Sequence, residues 1–132
     1  MTIERVRGRS PFEEAVGSAR AVAAGDRVTA TALPFLDGAV EGEGDPHTQA
    51  RVAFTLALDA LAELGADVEA VVRTRLYLAH TRDVDAVSRA HQEVFGAVRP
   101  VTTLVVVSGF ADSRVLVEVE VEAHREVSGE RS

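Results

Sequence analysis

The sequence contains no cysteine and no lysine. The first absence excludes disulfides, thiolate metal sites and cysteine nucleophiles. The second makes all 14 basic residues arginine, which excludes Schiff-base chemistry and a phosphate-loop lysine. Aromatics are scarce, five Phe, one Tyr and no Trp, so there is no basic aromatic platform for stacking bases. Positive charge is outweighed as well. A net charge of -7 argues against a general affinity for nucleic acid or for anionic membrane surfaces. No apolar run approaches the ~20 residues of a transmembrane helix. The opening MTIERVRGRSPFEE lacks the apolar segment of a secretory signal. Cytoplasmic residence is the expectation, with no membrane partner.

Familiar catalytic motifs are missing too. His47, His80, His91 and His124 have no metal-ligand spacing and no HExxH occurs. No GxSxG elbow presents a serine. The glycines between Gly38 and Gly44 stand among acidic residues that would repel phosphate. No metal or organic cofactor is expected.

What is present is a globular pattern. The 132 residues, with 46% hydrophobic and 27% charged side chains, suit one domain with a real core, spanning 1–132 with 1–9 and 125–132 flexible. The strongest signal lies between Arg99 and Ala123. Val101 to Val107 is an apolar, β-branched run, the pattern of a strand buried on both faces. Gly109 to Asp112 breaks it. From Arg114 to Ala123 the chain alternates strictly, with Val115, Val117, Val119 and Val121 on one face and Leu116, Glu118, Glu120 and Glu122 on the other.

Before this pair, Ala15 to Ala23 reads as a short strand containing Gly17. Arg27 to Leu33 reads as a second strand, ended by Pro34. Phe35 to Gly44 is a loop or weak hairpin. Asp45-Pro46 reads as an N-cap and first helical residue, opening a helix to about Leu64 with Ala50, Phe54, Ala57, Leu58, Leu61 and Leu64 inward. Val68 to Ala79 is a strand with Val72, Thr74, Leu76 and Leu78 on one face and Arg73, Arg75 and Tyr77 on the other. The two arginines complement the glutamates across the sheet or across a subunit boundary. Thr81 to Phe95 is a second helix. The order β-β-α-β-α-β-β predicts an α+β fold, a mixed sheet with two helices on one face. The other face, carrying Tyr77 and Leu104 beside Arg and Glu, suits a homo-oligomer packed sheet to sheet.

Gly17, Asp45, Gln49, Leu64-Gly65-Ala66, DVEAVVRTRLYL (67–78), Asp83, Phe95, Arg99-Pro100 and the VEVEVEA ending occur in order from Ser10 to Ala123. In these features the chain resembles the RidA/YjgF family. The resemblance implies a chorismate-mutase-like fold, a homotrimer with ligand clefts between subunits, and no cofactor. The best-known members hydrolyse enamines and imines such as 2-aminoacrylate to ammonia and a 2-keto acid.

Residue by residue, the resemblance puts Thr102 where the deaminating members have the Arg that clamps the substrate carboxylate. Their Tyr falls on Ala19, their Ser-Gly pair on Thr31-Ala32, and their Asn on Ser88. The Glu before the final Ala is Glu122, and Tyr77 takes the place of a central-strand aromatic. Glu122 is therefore expected either to orient a water against an imine carbon or to pair with an Arg at an interface. Arg75 is either a substitute carboxylate anchor or a structural ion pair. Thr102 and Thr103 are either ligand-bonding hydroxyls or packing residues. Two functional classes follow. One is a small-metabolite binder without the standard deaminase chemistry; the other is an enamine/imine hydrolase using Glu122 and Arg75.

Overall fold

In the computed structural model, which describes residues 2–127, the chain runs β1 (Ile3–Val6), α1 (Pro11–Val16), β2 (Ala21–Ala24), β3 (Arg27–Ala32), β4 (Phe35–Leu36), β5 (Ala39–Val40), α2 (Pro46–Glu63), β6 (Val71–Leu78), α3 (Val84–Phe95), β7 (Val101–Val106) and β8 (Val117–His124). Six strands form one mixed sheet in the order β1-β2-β3-β8-β6-β7, and β4-β5 is a separate two-stranded hairpin. Only β6 and β7 pair in parallel, because α3 carries the chain over between them.

The helices form where the pattern demands. The Asp45 carboxylate accepts the Thr48 backbone N–H at 3.1 Å, and Pro46 takes the first helical position. The inward stripe Ala50, Ala53, Phe54, Ala57 and Leu61 is fully buried. It meets β8, whose Val117, Val119 and Val121 are at most 1% exposed. Each such valine contributes about 1.5–3 kcal/mol of burial. α2 packs on β8 and β3, and α3 packs on α2, so the two long helices lie on the same face of the sheet.

Several expectations are corrected. Within the segment 1–9, expected to be flexible, residues 3–6 form β1, which pairs antiparallel with β2, Ile3 opposite Ala24; residue 1 lies outside the described residues. Gly17 is not in a strand. It ends the extra helix α1 in the left-handed region, φ 81°, with Ser10 as N-cap. The strand expected from Ala15 to Ala23 starts only at Ala21, as β2. Glu13 of α1 is nearly buried and receives Arg20 at 3.0 Å and the Gly8 N–H at 2.8 Å. That ties α1 to the strands on either side. Part of the expected loose tail, 128–132, lies outside the described residues.

Val72 does not share a face with Leu76. A bulge at Val71/Arg73 shifts the register, which buries Val71 and leaves Val72 45% exposed. β7 is not buried on both faces. It is an edge strand, with Val101 64%, Val105 37% and Val106 44% exposed. Leu104 stands beside Leu76 and packs on the core, so it is on the helix side, not the open face. The final strand begins at Val117. Arg114 is spent in the preceding turn, where it grips Asp112 through Nε at 3.0 Å and Nη2 at 2.7 Å.

Gln49 holds that turn from below. Its fully buried amide accepts the Leu116 N–H at 2.7 Å and donates to the carbonyls of Arg114 at 2.9 Å and Gly42 at 3.2 Å. Leucine fills similar space but leaves these backbone groups unpaired. Gln49→Leu is expected to cost roughly 2–3 kcal/mol, read as a lower urea midpoint at unchanged slope.

Candidate functional site

The alternation of β8 projects Glu118, Glu120 and Glu122 onto the open face, between β3 and β6. Arg73 stands opposite Glu122, Arg75 opposite Glu120 and Tyr77 opposite Glu118. On the other flank Thr29 faces Glu122 and Thr31 faces Glu120. The three carboxylates have different surroundings. Glu122 is met by Arg27 Nε at 3.3 Å. Glu120 is met by Arg75 Nη1 at 3.5 Å; both side chains are well exposed, so water and salt screen the pair. Among the described residues no arginine meets Glu118. Its carboxylate accepts the Thr31 hydroxyl at 3.4 Å, and it lines an apolar pocket of about 110 Å³ with Phe12, Leu33, Phe35, Phe110 and Val115. Burial there pushes its pKa above the ordinary value of 4.5, Glu120 adds to the rise, and the Thr31 hydrogen bond opposes it. Asp112, at the mouth of the same pocket, is held at about 2 by its Arg114 partner.

The expected site residues separate into groups. Thr31, Arg75, Tyr77, Thr103 and Glu122 share the open face. Thr102 is on the opposite, helix side, next to Thr74. Its hydroxyl lies 2.7 Å from Thr74 Oγ1 and 3.4 Å from His91 Nε2, and donates to the Pro100 carbonyl at 3.2 Å. Ser88 is exposed on α3. Ala19 precedes β2, beside Gly17 and Arg7. A pocket of about 270 Å³ on the open face brings Arg75 and Glu122 together, with Arg27, Thr29, Arg73 and Glu120 around them. Arg75 cannot stand in for an arginine at Thr102 in the same chain, because the sheet lies between them.

Sequence reasoning missed Glu118 as the carboxyl set apart, and it read Thr74 only as a strand-face residue and His91 only as a histidine without metal-ligand spacing. Glu118 carried one usable signal, the aromatic Phe110 in the loop that precedes its strand. A larger groove, about 300 Å³, lies between the β1–α1 segment, the β4–β5 turn and α2, with Arg7, Arg9 and Arg20 on one side and Asp59 and Glu63 on the other. It contains none of the expected residues. Among the described residues no group of three or more His, Asp or Glu is placed to hold a metal ion. No described helix is long and apolar enough to cross a membrane.

The family model for endoribonuclease L-PSP matches residues 4–125. The chain belongs to this family, the YjgF/RidA family. It is 60% identical over 124 residues to an uncharacterized protein of Streptomyces coelicolor, a match covering 93% of this chain and 92% of that one. A Mycobacterium tuberculosis protein, a member of the YjgF/YER057c/UK114 family, superposes with a TM-score of 0.82 at 34% identity, covering 93% and 99% of the two chains. Yeast Mmf1 superposes with a TM-score of 0.79 over 95% and 100% of the chains at 18% identity, a likeness of fold. The α+β fold expected from the family resemblance is the fold observed.

The Glu118 pocket generates a pH test. Folding raises the pKa of this carboxyl, so the folded chain holds the proton more tightly than the unfolded one. The stability that goes with it is full below about pH 4.5 and is lost as the pH rises through the raised value. Gln keeps an oxygen for Thr31 and cannot ionise. Glu118→Gln is expected to melt above wild type at pH 7, with the difference closing below pH 4.5; calorimetry across pH reads it.

Proposed function

We propose that this YjgF/RidA-family chain forms a homotrimer whose intersubunit clefts bind a small metabolite, and that the carboxylate-clamp deaminase reaction is not its activity. One observation carries the second half. Every hydrogen-bond partner of Thr102 is uncharged, namely Thr74, His91 and the Pro100 carbonyl. A bidentate arginine clamp contributes on the order of 2–3 kcal/mol in a desolvated cleft. Without it, carboxylate ligands bind roughly 30- to 100-fold more weakly.

The oligomer is supported by what the single chain leaves uncovered. The edge strand β7 exposes Val101, Val105 and Val106, and Val72 stands free beside it. The open face alternates Arg73 and Arg75 with three carboxylates, a surface that another charged sheet complements. Its acidity opposes RNA binding.

A second reading is a hydrolase for an enamine or imine. It is favoured by the half-buried Glu118 carboxyl with its raised pKa, the property of a proton carrier working closer to neutrality. In this reading Glu122 positions water and Arg75 anchors the substrate from a neighbouring chain; Arg27 already engages Glu122.

The test is hydrolysis of 2-aminoacrylate generated in situ, followed by keto-acid and ammonia release. The main reading predicts the buffer rate for wild type and acceleration for Thr102→Arg. Strong acceleration by wild type that Glu118→Gln or Glu122→Gln abolishes would replace it with the hydrolase reading.

A further inference from the structure

Thr74 is fully buried, between strands and helices where its neighbours on the same face are Leu76 and Leu78. A valine there fills the same space without a hydroxyl to satisfy. The hydroxyl is used: Thr74 Oγ1 lies 2.8 Å from His91 Nε2 and 2.7 Å from Thr102 Oγ1. The imidazole is wedged edge-on against Phe54, centroids 5.6 Å apart at 71°, and tilted on Phe95 at 4.7 Å. Both rings are fully buried, so packing fixes the histidine. Burial also pushes its pKa below 6.5, which leaves a neutral ring at pH 7, one nitrogen a donor and the other an acceptor. Thr102 is the exposed end of this chain of groups, on the edge strand.

The chain of hydrogen bonds runs in either sense. With the proton on Nε2, His91 donates to Thr74 and Thr74 donates to Thr102, whose own hydrogen goes to the Pro100 carbonyl and whose remaining lone pair faces outward. With the proton on Nδ1, Nε2 accepts from Thr74 and Thr74 accepts from Thr102, which then offers lone pairs outward. In either sense Thr102 turns an acceptor outward, which suits a neutral N–H or O–H and not a carboxylate, and it never presents a positive charge. We propose that Thr74 and His91 make Thr102 a specificity-determining contact for an uncharged polar group, a primary amide or a hydroxyl, in preference to a carboxylate. This rests on the reading that the cleft reaches Thr102.

The experiment uses the full chain with labelled threonine methyls and histidine rings, titrated with pyruvamide and with pyruvate. The two probes share a shape and differ in one charged group. Pyruvamide is expected to shift the Thr102, Thr74 and His91 signals and to bind about tenfold more tightly than pyruvate. Thr74→Val and His91→Phe preserve volume and packing. Each is expected to weaken pyruvamide about 3- to 10-fold while leaving pyruvate unchanged. Thr102→Arg, at an exposed position, reverses the preference. Pyruvate binding at Thr102 as tightly as pyruvamide overturns the proposal and leaves the cleft standing. So does pyruvamide binding that ignores the Thr74 and His91 variants. Neither probe moving Thr102 overturns the proposal and the cleft together.

Discussion

The two-sidedness of β8 is the constraint on which the rest depends. Its valines are buried and its glutamates stand on the open face, so a slip of one residue would bury three carboxylates. The register is therefore held on both flanks, by β3 and by β6. Each carboxylate then needs its own answer. Arg27 serves Glu122, Arg75 serves Glu120, and Thr31 with an apolar pocket receives Glu118. The last is the least screened and the one chemically set apart. A structural need for a charged column and a carboxyl with altered acidity are thus products of the same strand.

The position of β7 decides how a site is assembled. It lies at the sheet edge, with Thr103 on the open face and Thr102 on the helix side. Glu118 and Thr102 consequently belong to opposite faces of one chain. A ligand that touches both needs a second chain to bring a Glu118 pocket to a Thr102 edge. The uncovered valines of β7 are, in the proposed assembly, where such a neighbour packs. In the proposed assembly each cleft is built from two unlike halves. Variation at Thr102 then alters what is bound without disturbing the pocket that faces it.

Much of this fold is legible in the sequence, and the misses have physical causes. α2 and β8 are long and periodic, so pattern locates them, with the Asp45 cap of α2 included and only the first residues of β8 misplaced. β1 and α1 are short, and their side chains are mostly exposed, so periodicity says little; the Glu13–Arg20 pair that orders them is a tertiary contact. β7 shows the ambiguity of an apolar β-branched run. Burial inside one chain and burial against another write the same residues. Val72 fails because a bulge shifts a strict alternation by one place. The site was legible in part. The opposition of arginines and glutamates across the sheet could be read off, but Thr74, His91 and Thr102 come from three separate elements that only the folded chain brings within bonding distance. Glu118 differs from Glu122 only through its neighbours in space.

The claim that two chains complete each site is tested most directly by cross-linking. The native chain has no cysteine, so engineered thiols are the only ones present. A chain carrying Thr102→Cys on the β7 edge and Phe110→Cys in the Glu118 pocket is treated with a short bismaleimide. The account predicts covalent dimers and trimers on a denaturing gel, from contact between the edge of one chain and the pocket of the next. Monomers alone, with both thiols shown to be reactive, would contradict it.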